Sequence, residues 1–201
     1  MNKYLLKITI LLVFAGFISC KQSNVNTEDD NTKSDIILDT IGNSIAEKEL
    51  RIQLKDYLVA FNNGDADKAI SYVYPDAFVY LKNNYPNDYL NITEIKDSLF
   101  IGPINKMKKI SQQKHATYEF EIGEILKKVD YKNAKLFKVI TRINSNIGMD
   151  KHSYGGEIIG ISEDKGVNWK FMQNDDIEMT KGVLKLKFPD SVINKILEKN
   201  S

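Results

Sequence analysis

The spacing of apolar residues changes along this chain, and the changes predict its elements. Leu50, Leu54, Tyr57, Leu58 and Phe61 recur three or four residues apart, which puts them on one face of an α-helix. Ser44 and Glu47 stand ahead of them in the Ser-x-x-Glu pattern of a capping box. Asn62-Asn63-Gly64 supplies a left-handed stop. Asp65 then predicts the cap of a second, shorter helix, with Ala69, Ile70 and Val73 inward and Pro75 ending it. Residues 77–81 are a short apolar run that reads as a strand, and residues 82–90 read as a polar loop. Thr93 predicts the cap of a third helix carrying Ile95, Leu99 and Phe100, which Gly102-Pro103 breaks or kinks.

In the second half the period drops to two. Tyr118, Phe120 and Ile122 alternate with Glu119 and Glu121, the mark of a strand with one wet face. Residues 135–143, 154–162 and 167–173 read as three further strands. Polar or Gly-bearing turns over 131–134, 144–149 and 163–166 separate them. Strands joined this closely imply an antiparallel meander. Residues 188–200, with Asp190 as cap, predict a last helix. Helices followed by a run of antiparallel strands give an α+β domain over 44–201, helices packed on one face of a curved sheet. That length supports one ordinary core.

Local motifs carry a resemblance. Tyr57-Leu58-Val59-Ala60-Phe61-Asn62-Asn63-Gly64-Asp65, then Asp67 and Ala69-Ile70, resembles the end of the first helix in the NTF2-like (SnoaL-like) superfamily. Pro75-Asp76-Ala77-Phe78-Val79 is similar to that superfamily's first-strand approach, and Gly166-Val167-Asn168-Trp169-Lys170-Phe171 to its late strand. The resemblance implies an NTF2-like cone, its sheet wrapped around the first helix, and dimerisation through the sheet. It also brings in ketosteroid-isomerase-like chemistry for testing. The oxyanion-binding tyrosine of that chemistry aligns with Tyr57. Its catalytic aspartate, two residues past Asp76-Ala77-Phe78-Val79, aligns with Leu81. Leucine cannot take a proton, so general-base work lacks its base.

The start of the chain says where the domain is expected to live. Lys3 and Lys7 precede an apolar run over 8–18, broken only by Thr9. This is the build of a secretory signal and too short for a spanning helix. Phe17-Ile18-Ser19-Cys20 resembles the bacterial lipobox, which implies a signal peptide over 1–19 and lipidation of Cys20, the only cysteine. Two or more acyl chains hold a protein stably on a bilayer. Lys21 follows where lipoproteins retained in the inner membrane often carry Asp, so the resemblance implies the outer membrane. Residues 20–43 are polar, with Glu28, Asp29 and Asp30 in the middle, and read as a flexible tether.

Charge narrows the partners. The chain carries 28 basic and 27 acidic side chains, and loss of Lys3 and Lys7 with the leader leaves 26 against 27, a net of −1. Nucleic acid wants a basic face, so it is not expected. Lys106, Lys108 and Lys109 read as a solvated helix end.

Candidate chemistry is sparse. His115 and His152 have no carboxylate at a metal-binding spacing and no thiol partner, so neither a metal nor a cofactor is expected. Gly160-Ile161-Ser162-Glu163-Asp164 starts like a nucleophile elbow but lacks its second glycine. Gly155-Gly156 and Gly160 read as bulges or close packing, Asp65 and Asp67 as helix caps, and Asp175, Asp176 and Glu178 as a solvated strand end. Tyr57, Tyr118, Tyr154, Trp169 and Phe171 are the candidates for lining a pocket, which suits a small apolar ligand. The expectation is a lipid-anchored, non-catalytic binding or assembly module of the cell envelope. A lyase- or isomerase-type enzyme using the cone is the alternative, and a purely structural envelope protein with a filled interior is the third reading.

Overall fold

The apolar face from Leu50 to Phe61 winds as α1, Ile41–Asn63. The computed structural model describes residues 41–89, 91–114, 117–147 and 150–198. The leader, Cys20, the tether up to residue 40 and His115 therefore lie outside the described residues. α1 already runs from Ile41, so Ser44, expected as its cap, lies within its range. Gly64, at φ 73°, ends the helix, and the Asp65 amide reaches back to the Ala60 carbonyl at 2.9 Å. Asp65 then caps α2, Ala66–Tyr72, accepting from the Lys68 amide at 3.1 Å.

The strand expected over 77–81 is a helix, α3, Pro75–Asn84. Pro75 presets the first helical turn. Ala77, Phe78 and Leu81 are its buried residues, a helical spacing that a five-residue apolar run disguises. What remains of a first strand is one parallel bridge between Val73 and Phe171, with the Tyr74 amide on the Phe171 carbonyl at 2.9 Å. The third helix is capped by Asn91, not Thr93, which is the second residue of the helix. It runs as α4, Ile92–Lys96, widens into a π-helical turn, Asp97–Ile101, and continues as α5, Gly102–Lys114. Gly102-Pro103 does not break it. The Gly102 amide reaches five residues back to Asp97, and the wider turn admits a proline that lacks an N–H.

The expected meander is present. β1 (Thr117–Tyr131), β2 (Ala134–Ile147), β3 (Asp150–Ser162) and β4 (Lys170–Gln173) lie in sequence order, each antiparallel to the next. β4 begins at Lys170, three residues later than expected. The first three strands are longer than expected. β1 shifts register at two points between Ile122 and Lys127, and Arg51 of α1 donates to the Ile122 and Gly123 carbonyls there, at 3.2 and 2.9 Å.

Helices cover both faces of the sheet, not one. Phe137, Val139 and Ile158 pack with Leu50, Leu54 and Leu58 of α1. Leu136, Ile159 and Ile161 point the other way. They pack with Val183 and Leu184 of α6 (Ile177–Leu184) and with Val192, Ile193 and Ile196 of α7 (Asp190–Leu197). α6 was not expected. Its cap, Asp176, accepts from the Met179 amide at 3.0 Å, so two acids read as a solvated strand end are a helix start. Pro189 occupies the cap position of α7 and Asp190 its first turn. Among the described residues no helix is long and apolar enough to cross a membrane.

Candidate functional site

A cavity of about 40 Å³ lies where α1, α3, the π turn, β4 and α6 meet. Tyr57 and Phe61 come from α1; Ala77, Phe78 and Leu81 from α3; Phe100 from the π turn. Val73, Phe171, Met172 and Met179 complete the apolar wall. The polar wall is confined to the end of β4 and the start of α6: Gln173, Asp175, Asp176 and Thr180. A water needs about 10–15 Å³ on this measure, so the space takes about three water-sized groups. A benzene-sized void is about 150 Å³, so no bulky ring enters it.

Its rings are fixed by each other. Tyr57 stacks on Phe171 with centroids 5.7 Å apart and planes 22° apart. Phe78 meets Phe100 edge to face at 5.7 Å. Tyr57 is buried, and burial pushes its hydroxyl up to about 12. Among the described residues that hydroxyl makes no hydrogen bond. Gln173 Oε1 is buried and also has no donor. Burial, and then the charge of Glu157, hold the Asp175 carboxyl above the usual carboxylate range. Asp176 is committed to its cap, and Thr180 donates to the Gln173 carbonyl at 3.5 Å.

A second, wider groove of about 700 Å³ runs between α2, the start of α3 and α4. Its basic groups are engaged. The Lys170 ammonium donates to the Ser71 carbonyl at 2.6 Å, and that of Lys96 lies 5.4 Å from the centre of the Phe78 ring. Its other charges, Asp67 and Asp97, give it no single sign.

Of the candidates for pocket lining, Tyr57 and Phe171 line the cavity. Trp169 does not. It packs against Phe137 with centroids 5.0 Å apart, its Nε1 donating to the Gly166 carbonyl at 2.9 Å. Tyr118 and Tyr154 sit half-buried near the far ends of β1 and β3, opposite Ser145 and Ile143 of β2. They are not part of this cavity. His152 lies on β3, but its side chain is outside the described residues. Among the described residues no group of acids, histidines and thiols could hold a metal ion. The elbow-like segment is a turn: the Ser162 hydroxyl donates to Asp164 at 2.7 Å and accepts from the Gly166 amide at 2.9 Å. Gly160 serves close packing, since a Cβ there would stand 2.7 Å from Leu50 Cδ1.

Sequence reasoning missed Gln173 and Asp175 as site residues. Their only signal was a run of acids directly after a strand, where a helix cap was the better reading. Comparison with protein-family models, with curated proteins and with solved structures finds no match to this chain.

Proposed function

We propose that this protein is a lipid-anchored module of the bacterial cell envelope that binds a small ligand at the cavity beside Tyr57 without catalysing a reaction. One observation carries the binding reading. The cavity's apolar wall gives way at one end to polar groups, among them a buried Gln173 oxygen with no donor among the described residues. Buried polar atoms are nearly always paired, and a few unpaired ones converging on an apolar pocket are what orients a ligand. Leu81 supports the absence of catalysis, because the position where the resemblance implies a base is a hydrocarbon wall. The NTF2-like cone is proposed on the sequence motifs together with the helix-then-meander order. The anchor and the outer-membrane location are proposed on residues 1–21 alone.

Native mass spectrometry of the full-length protein, extracted from membranes in detergent, tests the reading. The expected spectrum shows a small non-covalent adduct that Ala77→Val removes. A wild-type spectrum with no adduct overturns it. For the anchor, labelled palmitate is expected in wild type and absent from Cys20→Ala; equal labelling of both removes the lipoprotein.

One observation favours an enzyme instead. Asp175, an acid held above its usual range, lines the same cavity as Tyr57, and raised carboxyls serve as general acids or bases. Turnover of a small substrate, lost in both Asp175→Asn and Tyr57→Phe, would establish that reading in place of the first.

A further inference from the structure

The polar end of the cavity is one-sided in its chemistry. Gln173 Oε1 faces no donor, and neighbouring Asn174 Oδ1 is likewise buried without one. Asp175 contributes a carboxylate, which lies 3.8 Å from where a Cβ on Gly156 would stand. Glu157 stands behind, accepting from Asn174 Nδ2 at 2.8 Å. The cation beside this group is already committed: Lys138 Nζ is 3.8 Å from Glu157 and donates to the Glu198 carbonyl at 3.0 Å. Acceptors and negative charge therefore exceed donors at this end of the cavity.

Resting on the binding reading above, we infer that the ligand is a small primary alkylamine, its ammonium held by Gln173 Oε1 and Asp175 and its alkyl end seated against Phe61, Phe78 and Phe100. An ammonium brings three donors and no acceptor, which is what these oxygens lack. An alcohol brings a single donor, fewer than these oxygens can accept. A carboxylate would meet like charge. The deep wall is hydrocarbon, and the volume admits a chain of about three heavy atoms. A cation at this end also relieves the two costs that raise the Asp175 carboxyl, which are burial and the neighbouring charge of Glu157.

Ligand-detected NMR on the full-length protein in detergent, with propylamine, propanol and propionate as probes, tests this. Propylamine is expected to bind about tenfold more tightly than either of the others. Asp175→Asn is expected to remove that margin, and Gln173→Leu provides a second variant should the first fail to fold. Propanol binding as tightly as propylamine, or a margin that survives both variants, overturns the amine while leaving a ligand cavity in place. Binding of none of the three probes, alongside a native mass spectrum without adduct, removes both the amine and the binding reading.

Discussion

Tyr57 and Tyr74 are both buried, one in each of the two interiors that the sheet separates. Tyr57 lines the cavity, stacked on Phe171, its hydroxyl unbonded among the described residues. Tyr74 belongs to the core under α6 and α7. Its hydroxyl lies 3.1 Å from Asp76 Oδ2 and 3.2 Å from Glu163 Oε1. Lys187 bridges the same two acids, at 2.7 Å from Glu163 and 3.5 Å from Asp76, with its ammonium 5.7 Å from the Tyr74 ring centre. Burial first, then both carboxylates, push the Tyr74 hydroxyl above its ordinary value. A buried tyrosine normally finds a partner for its hydroxyl. The core where it does so is closed and committed to holding α3, the β3–β4 turn and the α6–α7 link together. The core where it does not keeps space and open hydrogen-bonding capacity, the two things a ligand uses.

The largest expected effect breaks the filled core. Ile196 of α7 is fully buried against the sheet. Ile196→Ala is expected to cost about 2–5 kcal/mol, for lost transfer energy and the void left behind. Urea unfolding measures it, and an unchanged midpoint would mean that α7 does not pack as described.

A second pair of changes sets the two tyrosines side by side. Tyr74→Phe strips a hydrogen bond to a carboxylate and is expected to cost about 1.5–3 kcal/mol. Tyr57→Phe removes a hydroxyl that is unbonded among the described residues and is expected to cost less than about 0.5 kcal/mol. Equal losses at the two sites would abolish the distinction between the cores.

Added volume sets a filled contact against the cavity wall, to which Ala77 contributes from the Tyr74 side. A Cβ on Gly182 of α6 would stand 2.3 Å from Tyr80 Cε2 of α3. Gly182→Ala is therefore expected to cost up to about 1–3 kcal/mol by overpacking, less about 1 kcal/mol of helix propensity gained. Ala77→Val adds atoms beside the cavity, where about 40 Å³ is available, and is expected to cost under about 1 kcal/mol. Thermal unfolding of both variants gives the comparison. A larger loss for Ala77→Val would show that the cavity does not accept added volume.

Much of this architecture was legible in the chain because periodicity reports burial. Leu50, Leu54, Leu58 and Phe61 could only repeat as they do on a helix, and the alternation through Tyr118, Phe120 and Ile122 could only be a strand. Where both states fit a run of five, as at residues 77–81, pattern alone could not choose, and Pro75 was the deciding residue. α6 escaped because Asp175, Asp176 and Glu178 carry the same charge whether they solvate a strand end or open a helix. The cavity was half visible. Tyr57 and Phe171 stood out as aromatics, but the polar end depends on Gln173, at the end of β4, lining the same space as Tyr57 of α1, a proximity that no local spacing encodes. Trp169 misled for the opposite reason: a large aromatic after a turn fits a core as well as a pocket, and its N–H is satisfied by its own turn.

The smallest effect is the pH dependence of two aspartates, which run in opposite directions. At Asp164, burial works against the charge, but hydrogen bonds from the Asn168 amide, the Ser162 hydroxyl and the Asn168 side chain outweigh it and bring the carboxyl down to about 2. A carboxyl depressed in the fold stabilises it fully above its unfolded value of about 3.9. That contribution is lost as pH falls from about 4 towards 2. At Asp175 the carboxyl is raised in the fold, so the native state favours its protonated form. Stability is then greatest below the ordinary carboxylate value and declines as pH rises through the raised one. Asp164→Asn is thus expected to flatten the acid limb of a urea stability profile between pH 4 and 2. Asp175→Asn is expected to leave that limb alone and to raise stability at pH 7. Both aspartates are exposed, so screening by solvent keeps these shifts below those of the core variants. A loss at pH 7 in Asp175→Asn would mean that the fold holds its carboxylate with a donor, and the contrast between a committed acid in the turn and an open one at the cavity would fail.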